Sequence, residues 1–502
     1  MDTTIRINSR SYEIPTPKSI FHTYQMLNNL FAEEDLFLLE SLSGSQKDCM
    51  QSVIGYKPLL SIKWNGHRLQ LSGNQHFIDR ILSQESLQSL SCQNNVIMVE
   101  GKKNIFELLR TIEATFSVQA QKPDNLFGCG FFGYIGYDAI FEIENITQYI
   151  PRSSTEESIC LTLFEGIIHI NLLSQITTLT INESELHTTF PDSMILKAIA
   201  DDTTHTSQPD VITNDEYSYK SHSTVNRNRY FDWVNKAKNH ISLGDVYQIQ
   251  FGYDIHIHSA IPPFQTYQRL RKFNPSPYMY YFTGADQMKV IGASPEMFAI
   301  LDSNGIVQMR PIAGTARKSG SAEEIEIIRQ KLLADEKEQA EHLMLVDLCR
   351  NDIARICTAT TLQVDELMVT EEYSHVIHIV SHVSGKLKAN KDKYDLIAAT
   401  FPAGTMTGTP KIRAVEIIEE TESTPRGVYA GCVGFFGFNN TMVTALCIRT
   451  AVWQEQLYTI RASAGIVEDS TPQQEWAETI SKMSSTYFAI TNRELTNEDF
   501  IN

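Results

Sequence analysis

Residues 335–352, DEKEQAEHLMLVDLCRND, constrain this chain more than any other stretch. Glu338 and Glu341 stand three apart, so on a helix both carboxylates lie on one face. Leu343, Met344, Val346 and Leu348 run as an apolar stripe along much of the rest. The two acids therefore sit where the helix first meets a core, a costly place for bare charge, and something positive must compensate them. TPQQEWAETISK, near the C-terminus, repeats the device. Glu475 and Glu478 are three apart, Lys482 follows one turn on, and Thr471 and Pro472 have the chemistry of an N-cap and a first helical residue. Two such helices facing each other across a cleft could hold Mg²⁺, which wants hard oxygen ligands, takes few from protein and keeps water or substrate oxygens. Taken singly, acids three apart are more often a solvated face, so the reading depends on what surrounds them.

At 502 residues the chain exceeds what one core usually holds, and two lobes are expected. We read residues 1–200 as an N-terminal domain, 201–219 as a polar linker and 220–502 as a second domain. A hydrophobic share of 42% with 20% charged residues argues against disorder. The net charge of −18, without a basic run, disfavours nucleic acid and anionic membrane surfaces as partners. No apolar run approaches a membrane span, and MDTTIRINSRSYEI has no apolar core of a signal peptide. Eight scattered cysteines without zinc spacing read as reduced, mostly buried thiols of a cytoplasmic protein.

Along the chain, 51–55 and 59–64 read as two strands, 104–120 as a helix, and 127–138, FGCGFFGYIGYD, as a close approach of backbones. Its glycines do not spell a dinucleotide fingerprint. Residues 160–181 alternate as two strands. In the second half, 230–243 is an amphipathic helix, 246–258 a strand, and 274–282 a turn passing into an aromatic strand. Ser294-Pro295-Glu296 places a carboxylate at a break in a strand pattern. RPIAGT at 310–315 reads as a turn. His378 sits in an alternating apolar run, 375–383. FPAGTMTGTPK feeds a helix with Thr409 as N-cap and Pro410 first, and Arg449 falls within a second strand-like run at 443–452.

Gathered together, four carboxylates, Glu296, His378, Tyr429, Arg449 and Lys482, with Gly314, Thr315, Gly404, Thr405 and Gly465 as sources of backbone N–H groups, suit a small polycarboxylate. One acid or base would stand beside the reacting carbon. Each residue has a plainer alternative: a capped turn for Glu296, a core histidine for His378, a buried ion pair for Arg449. Spacing alone does not name the substrate.

EHLMLVDLCRND, FPAGTMTGTPKIRAVEII, RGVYAGCVGFFG, IRTAV and AGIV, followed by the second acidic pair and its lysine, occur in an order that closely resembles the chorismate-binding enzymes. Within them the chain is similar to the large, chorismate-binding subunits (component I) of anthranilate synthases. LLES at 38–41 and the glycine-aromatic stretch at 127–138 extend the likeness toward the N-terminus. The resemblance implies an α/β fold of stacked, twisted antiparallel sheets wrapped by helices. It implies conversion of chorismate and ammonia to anthranilate and pyruvate, with Mg²⁺ required. By position, Glu341 and Glu478 would bind the metal, with Glu338 and Glu475 supporting through water. Glu296 would be the general acid and His378 would act during pyruvate loss. Tyr429, Arg449 and the backbone at Ser463, Ala464 and Gly465 would grip the enolpyruvyl side, and Gly314, Thr315, Thr405 and Lys482 would position the ring.

The same resemblance implies a feedback pocket for tryptophan at Glu40, Ser41, Asn274, Pro275, Pro277, Tyr278 and Met279. It also implies a partner, a glutamine amidotransferase subunit supplying ammonia in a heterotetramer. Gln248 stands where water-adding relatives carry a lysine, and Ala313 where aminodeoxychorismate synthases often carry a nucleophilic lysine; both favour anthranilate. Ser463 where glycine is common, GTMTGTPK, and no arginine directly after Gly314-Thr315 depart from the pattern. They leave room for release of the aminated intermediate. The alternatives are a 4-amino-4-deoxychorismate synthase of the folate pathway and a non-catalytic amino-acid sensor on the same fold.

Overall fold

The computed structural model describes residues 3–45, 50–88, 90–99, 104–153, 156–204, 217–373 and 376–500. Among them, 24 strands join one hydrogen-bonded network wrapped by helices, a mixed α/β fold of the kind expected. Ile5–Ile14 runs parallel to Phe116–Ala120; the other pairings of described strands are antiparallel. No helix of the described residues is long and apolar enough to cross a membrane.

The early and late parts of the chain interleave. Leu36–Glu40 pairs with Tyr278–Thr283, placing Glu40 opposite Met279. Gly130–Ile135 pairs with Cys432–Gly437, and there Gly133 faces Gly434. A Cβ on Gly133 would lie 1.9 Å from the Cys160 carbonyl oxygen, and one on Gly434 2.0 Å from that of Val443. The glycines expected to mark a close backbone approach do so, because no side chain fits there.

Local expectations fail where a bulge or tertiary pairing overrides periodicity. Residues 51–64 form one strand, Gln51–Trp64, whose register against Ile159–Asn171 shifts at a bulge between Pro58 and Leu60, just after Lys57 at φ 58°. The helix expected over 104–120 stops at Glu113, and Phe116–Ala120 joins the sheet instead. Of the expected linker, 205–216 lie outside the described residues, 201–204 finish the helix Asp192–Thr204, and Tyr219 opens a strand. RPIAGT is not a turn: Ile312–Arg317 is a strand whose register shifts around Gly314, at φ 66°. Thr409 is not an N-cap. Gly408–Thr409 pairs with Gln248 and Ile249, and Pro410 caps Lys411–Glu419. Arg449 lies between the strands Met442–Leu446 and Thr450–Gln454, at φ 51°, not inside one strand. His375 lies outside the described residues.

Large aromatics run through a mainly aliphatic core. Trp476, on the helix Pro472–Thr491, stacks on Tyr253 at 5.1 Å, and the Tyr253 hydroxyl pairs with Thr479 at 3.0 Å. Removing such a ring costs about 3–5 kcal/mol. Beneath this layer lies a buried ion network. Arg461 pairs with Asp254 and Glu422, and Arg426 pairs with Glu422. Taking one charge from such a network costs several kcal/mol, because its partner is left buried and alone.

Candidate active site

The floor of the site is a strand pair. Gln248–Ser259 runs antiparallel to Leu457–Ile466, with Gln250 opposite Gly465 and Gly252 opposite Ser463. Strand alternation sends Gln248, Gln250, Ser463 and Gly465 to one face, while Ile249, Phe251 and Tyr253 go to the core. A Cβ on Gly465 would meet Gln248 Nε2 at 2.7 Å and Gln250 Nε2 at 3.0 Å, so both amides reach into the space that glycine leaves. Ala464 points the other way and is fully buried, so it has only its backbone to offer.

Two helices bring the acids to the end of this floor. The Asp335 side chain caps Glu336–Ala354 by accepting from the N–H groups of Lys337 and Glu338. That fixes the helix start, and Glu338 and Glu341 follow within two turns. The core face is His342, Leu345, Val346, Cys349 and Ile353. Of the expected stripe only Val346 belongs to it, and Leu343 is exposed, because positions three and four apart from His342 set the buried face. Thr471 caps Pro472–Thr491 as expected and fixes Glu475 and Glu478.

These carboxylates feel one another. Burial pushes the Glu341 carboxyl above its ordinary range, and the charges of Glu338 and Glu478 push it further. Glu338 is raised by burial, then by Asp335, with Glu478 adding to it. Glu475 is pushed up to about 7 by burial first, with Glu478 adding to it. Its Oε2 is buried without a hydrogen-bond partner among the described residues. Gln248 Nε2 donates to Glu341 Oε1 at 3.1 Å. Among the described residues no three acidic, His or Cys groups stand at metal-binding separation. Four hard-oxygen acids, three of them raised by burial and by neighbouring carboxylates and one with an orphaned oxygen, are nonetheless a donor set that suits Mg²⁺.

Lys482 joins this cluster to the reacting groups. Its Nζ lies 2.5 Å from Glu478 Oε1 and donates to the Ser463 carbonyl at 2.9 Å. Its charge also reaches Glu296. Glu296 follows Pro295 at the break between Lys289–Ser294 and Met297–Leu301. It is 9% exposed. Burial pushes its carboxyl up to about 8, against the Thr405 hydroxyl, which donates to Oε1 at 3.1 Å, and Lys482. A cavity of about 310 Å³ lies beside Glu296 and Thr405, also lined by Arg310, Leu345, Leu348 and Cys349.

His378 Nδ1 lies 3.2 Å from the Gly314 carbonyl, which can only accept, so Nδ1 carries the proton and Nε2 is the free base. Thr315 Oγ1 is 3.0 Å from the same nitrogen. Burial first, then Arg449, holds the imidazole down at about 4. Gly314 also closes the ring of contacts, since a Cβ there would come within 3.1 Å of Glu338 Oε2. Arg449 is itself lowered by burial, opposed by Tyr429 and Glu478. Its left-handed backbone is a conformation that non-glycine residues hold only where surroundings impose it. The Tyr429 hydroxyl meets Ser463 Oγ at 2.8 Å, and Ser463 Oγ donates to Gln250 Oε1 at 3.0 Å.

The catalytic, binding and acidic residues read from the sequence thus form one linked constellation. The residues expected around tryptophan are elsewhere. Glu40, Ser41, Pro277, Tyr278 and Met279 line a cavity of about 420 Å³ between the interleaved strands, with Phe127, Val433 and Ala445. Asn274 and Pro275 are set back from it: Asn274 ends the helix Pro263–Phe273, and the Pro275 carbonyl accepts from Ser43 Oγ at 2.6 Å. The Glu40 carboxylate accepts from the Tyr267 hydroxyl at 2.7 Å and from Arg271 at 3.0 Å. Sequence reasoning missed Gln250 and Arg426. Arg426 donates to the carbonyls of Met406 at 2.7 Å and Gln250 at 2.9 Å, tying the Thr405 segment to the floor. The alternation QIQ at 248–250 was a legible signal for Gln250; nothing local marked Arg426.

This fold and this constellation define a chorismate-binding enzyme, and the chain belongs to that family, whose model matches residues 67–487. It is 36% identical to a Streptomyces globisporus protein named 2-amino-4-deoxychorismate synthase, over 98% of each chain. It is 35% identical to anthranilate synthase component 1 of Aquifex aeolicus, over 87% of this chain and 88% of that one. The crystal structure of anthranilate synthase component I from Streptococcus pneumoniae superposes with a TM-score of 0.70 at 30% identity, covering 87% of this chain and 92% of the other.

Proposed function

We propose that the chain is the chorismate-converting subunit of an anthranilate synthase, a lyase that turns chorismate and ammonia into anthranilate, pyruvate and water. The observation that carries the reading is Glu296, a buried carboxyl raised to about 8 that feels the charge of Lys482, which itself pairs with Glu478. A carboxyl so raised holds its proton at neutral pH. On this reading it gives that proton to the departing 4-hydroxyl while ammonia adds at C2. Glu341 and Glu478 would hold Mg²⁺ directly, and Glu338 and Glu475 through water. When bound, the ion supplies Lewis-acid stabilisation of negative charge on the substrate.

Neutral His378, its Nδ1–H fixed on Gly314, presents Nε2 to take the ring proton as pyruvate leaves. Arg449 offers a planar cation to a carboxylate. Ammonia would come from a separate glutamine amidotransferase in a cytoplasmic heterotetramer. The 420 Å³ cavity would take tryptophan as feedback inhibitor, its aromatic and aliphatic walls suiting an indole.

A second reading has a specific basis. The Streptomyces globisporus relative is named for an aminated chorismate product, and Ser463 ties down Tyr429 at the end of the site assigned to the enolpyruvyl group. On that reading turnover stops before pyruvate loss. Product analysis separates the two. With chorismate, ammonium and Mg²⁺, the first reading expects anthranilate fluorescence and stoichiometric pyruvate. Chorismate consumed without pyruvate would replace it by the second, and no consumption would favour a non-catalytic sensor.

A further inference from the structure

The hydroxyl chain at Ser463 has a direction. Each hydroxyl owns one proton. Ser463 Oγ donates to Gln250 Oε1 at 3.0 Å, so its proton is committed. The 2.8 Å contact with Tyr429 must then use the phenol's own proton. Tyr429 is left with lone pairs alone to show to a ligand. All three groups are buried, and their positions are fixed from behind. Lys482 Nζ holds the Ser463 carbonyl, and Arg426 holds the Gln250 carbonyl, itself pinned by Glu422. Gly252, opposite Ser463, lacks the Cβ that would lie 2.9 Å from the Ser463 Cβ. Arg449, by contrast, has no hydrogen-bond or ion-pair partner for its guanidinium among the described residues.

We infer that Ser463 is a specificity-determining residue that takes up the Tyr429 proton, turning Tyr429 into an acceptor and leaving Arg449 to grip the ligand's carboxylate. An acceptor at this position opposes a carboxylate and suits a ligand N–H or O–H. The inference rests on the reading that this cleft binds chorismate. Removing the Ser463 hydroxyl returns the phenol proton to the site, where it can donate to an anion, and hydrogen bonds to charged groups are the strong ones.

The test is a double-mutant cycle on chorismate binding, measured by calorimetry without ammonium so that no turnover intervenes. The four proteins are the parent, Ser463→Ala, Tyr429→Phe and the double variant; thermal melts check folding, and Ser463→Gly replaces Ser463→Ala if the latter melts early. We expect Ser463→Ala to bind chorismate about threefold to tenfold more tightly. We expect Tyr429→Phe to weaken binding at least about fivefold more in the Ser463→Ala background than in the parent. Weaker binding by Ser463→Ala, or additive effects of the two substitutions, overturns the inference while leaving chorismate binding intact. No chorismate binding by the parent overturns the proposed function and the inference with it.

Discussion

The Thr405 hydroxyl donates to Glu296 Oε1 at 3.1 Å, opposing the burial that raises the Glu296 carboxyl to about 8. Activity that needs the protonated acid is therefore lost as pH rises through about 8. Thr405→Val removes a donor that favours the carboxylate, so the alkaline limb of the kcat profile moves to higher pH. Glu296→Gln lowers kcat by about 10²-fold or more. A limb that stays in place in Thr405→Val removes Glu296 as its origin.

The same shift has a stability consequence. Below the ordinary value of 4.5 the Glu296 carboxyl is protonated in both folded and unfolded chains. Between 4.5 and about 8 the unfolded carboxyl ionises while the folded one resists, so the parent loses stability relative to Glu296→Gln. Thermal melts across this range should show the variant gaining a few kcal/mol, with the gap level above about 8. Equal melts at all pH values would mean the carboxyl is not raised.

Glu341 and Glu478 repel each other across the two helices. In a chelator, Glu341→Gln should melt above the parent, because one of the mutually repelling charges is gone, whereas Glu478→Gln also gives up the Lys482 ion pair and should not. In a magnesium titration of melting temperature, both should need at least about tenfold more cation. A parent whose melting ignores magnesium contradicts the assignment of these acids to a metal.

His378 is held neutral, with its proton on the Gly314 side. His378→Asn keeps a group able to donate there but loses the base. Anthranilate formation should fall by about 10²-fold while chorismate loss falls less. Product ratios by chromatography read this directly, and equal loss of both would place His378 in binding or the first step instead.

Ser41 lines the larger cavity and donates to the Pro277 carbonyl at 2.7 Å. Ser41→Phe fills that space. Half-inhibition should require at least about tenfold more tryptophan, since a coupling free energy of 1–3 kcal/mol spans this range. An unchanged inhibition curve would remove the cavity from feedback.

The helix-borne parts of the site were legible because helical spacing and caps are local. Asp335 and Thr471 fix where the two helices start, and so where Glu338, Glu341, Glu475 and Glu478 stand. The break at Ser294-Pro295-Glu296 was legible for the same reason. Arg449 and Gly314 were misplaced because their conformations come from neighbours. Ala430 N–H on the Cys447 carbonyl holds the Arg449 turn, and a register shift against 376–386 makes the Gly314 bulge. Arg426 escaped notice because its partners, Met406 and Gln250, are remote in the chain. The strand Phe116–Ala120 followed a good helix and is a strand only because Ile5–Ser9 lies beside it.

The central claim is that this cleft adds ammonia to chorismate. The direct measurement follows chorismate disappearance in the purified chain with ammonium and magnesium, each omitted in turn, beside Glu296→Gln. Loss that requires both, and that falls about 10²-fold in the variant, is what the geometry predicts. Loss that persists without ammonium, or that is unchanged in Glu296→Gln, would contradict it.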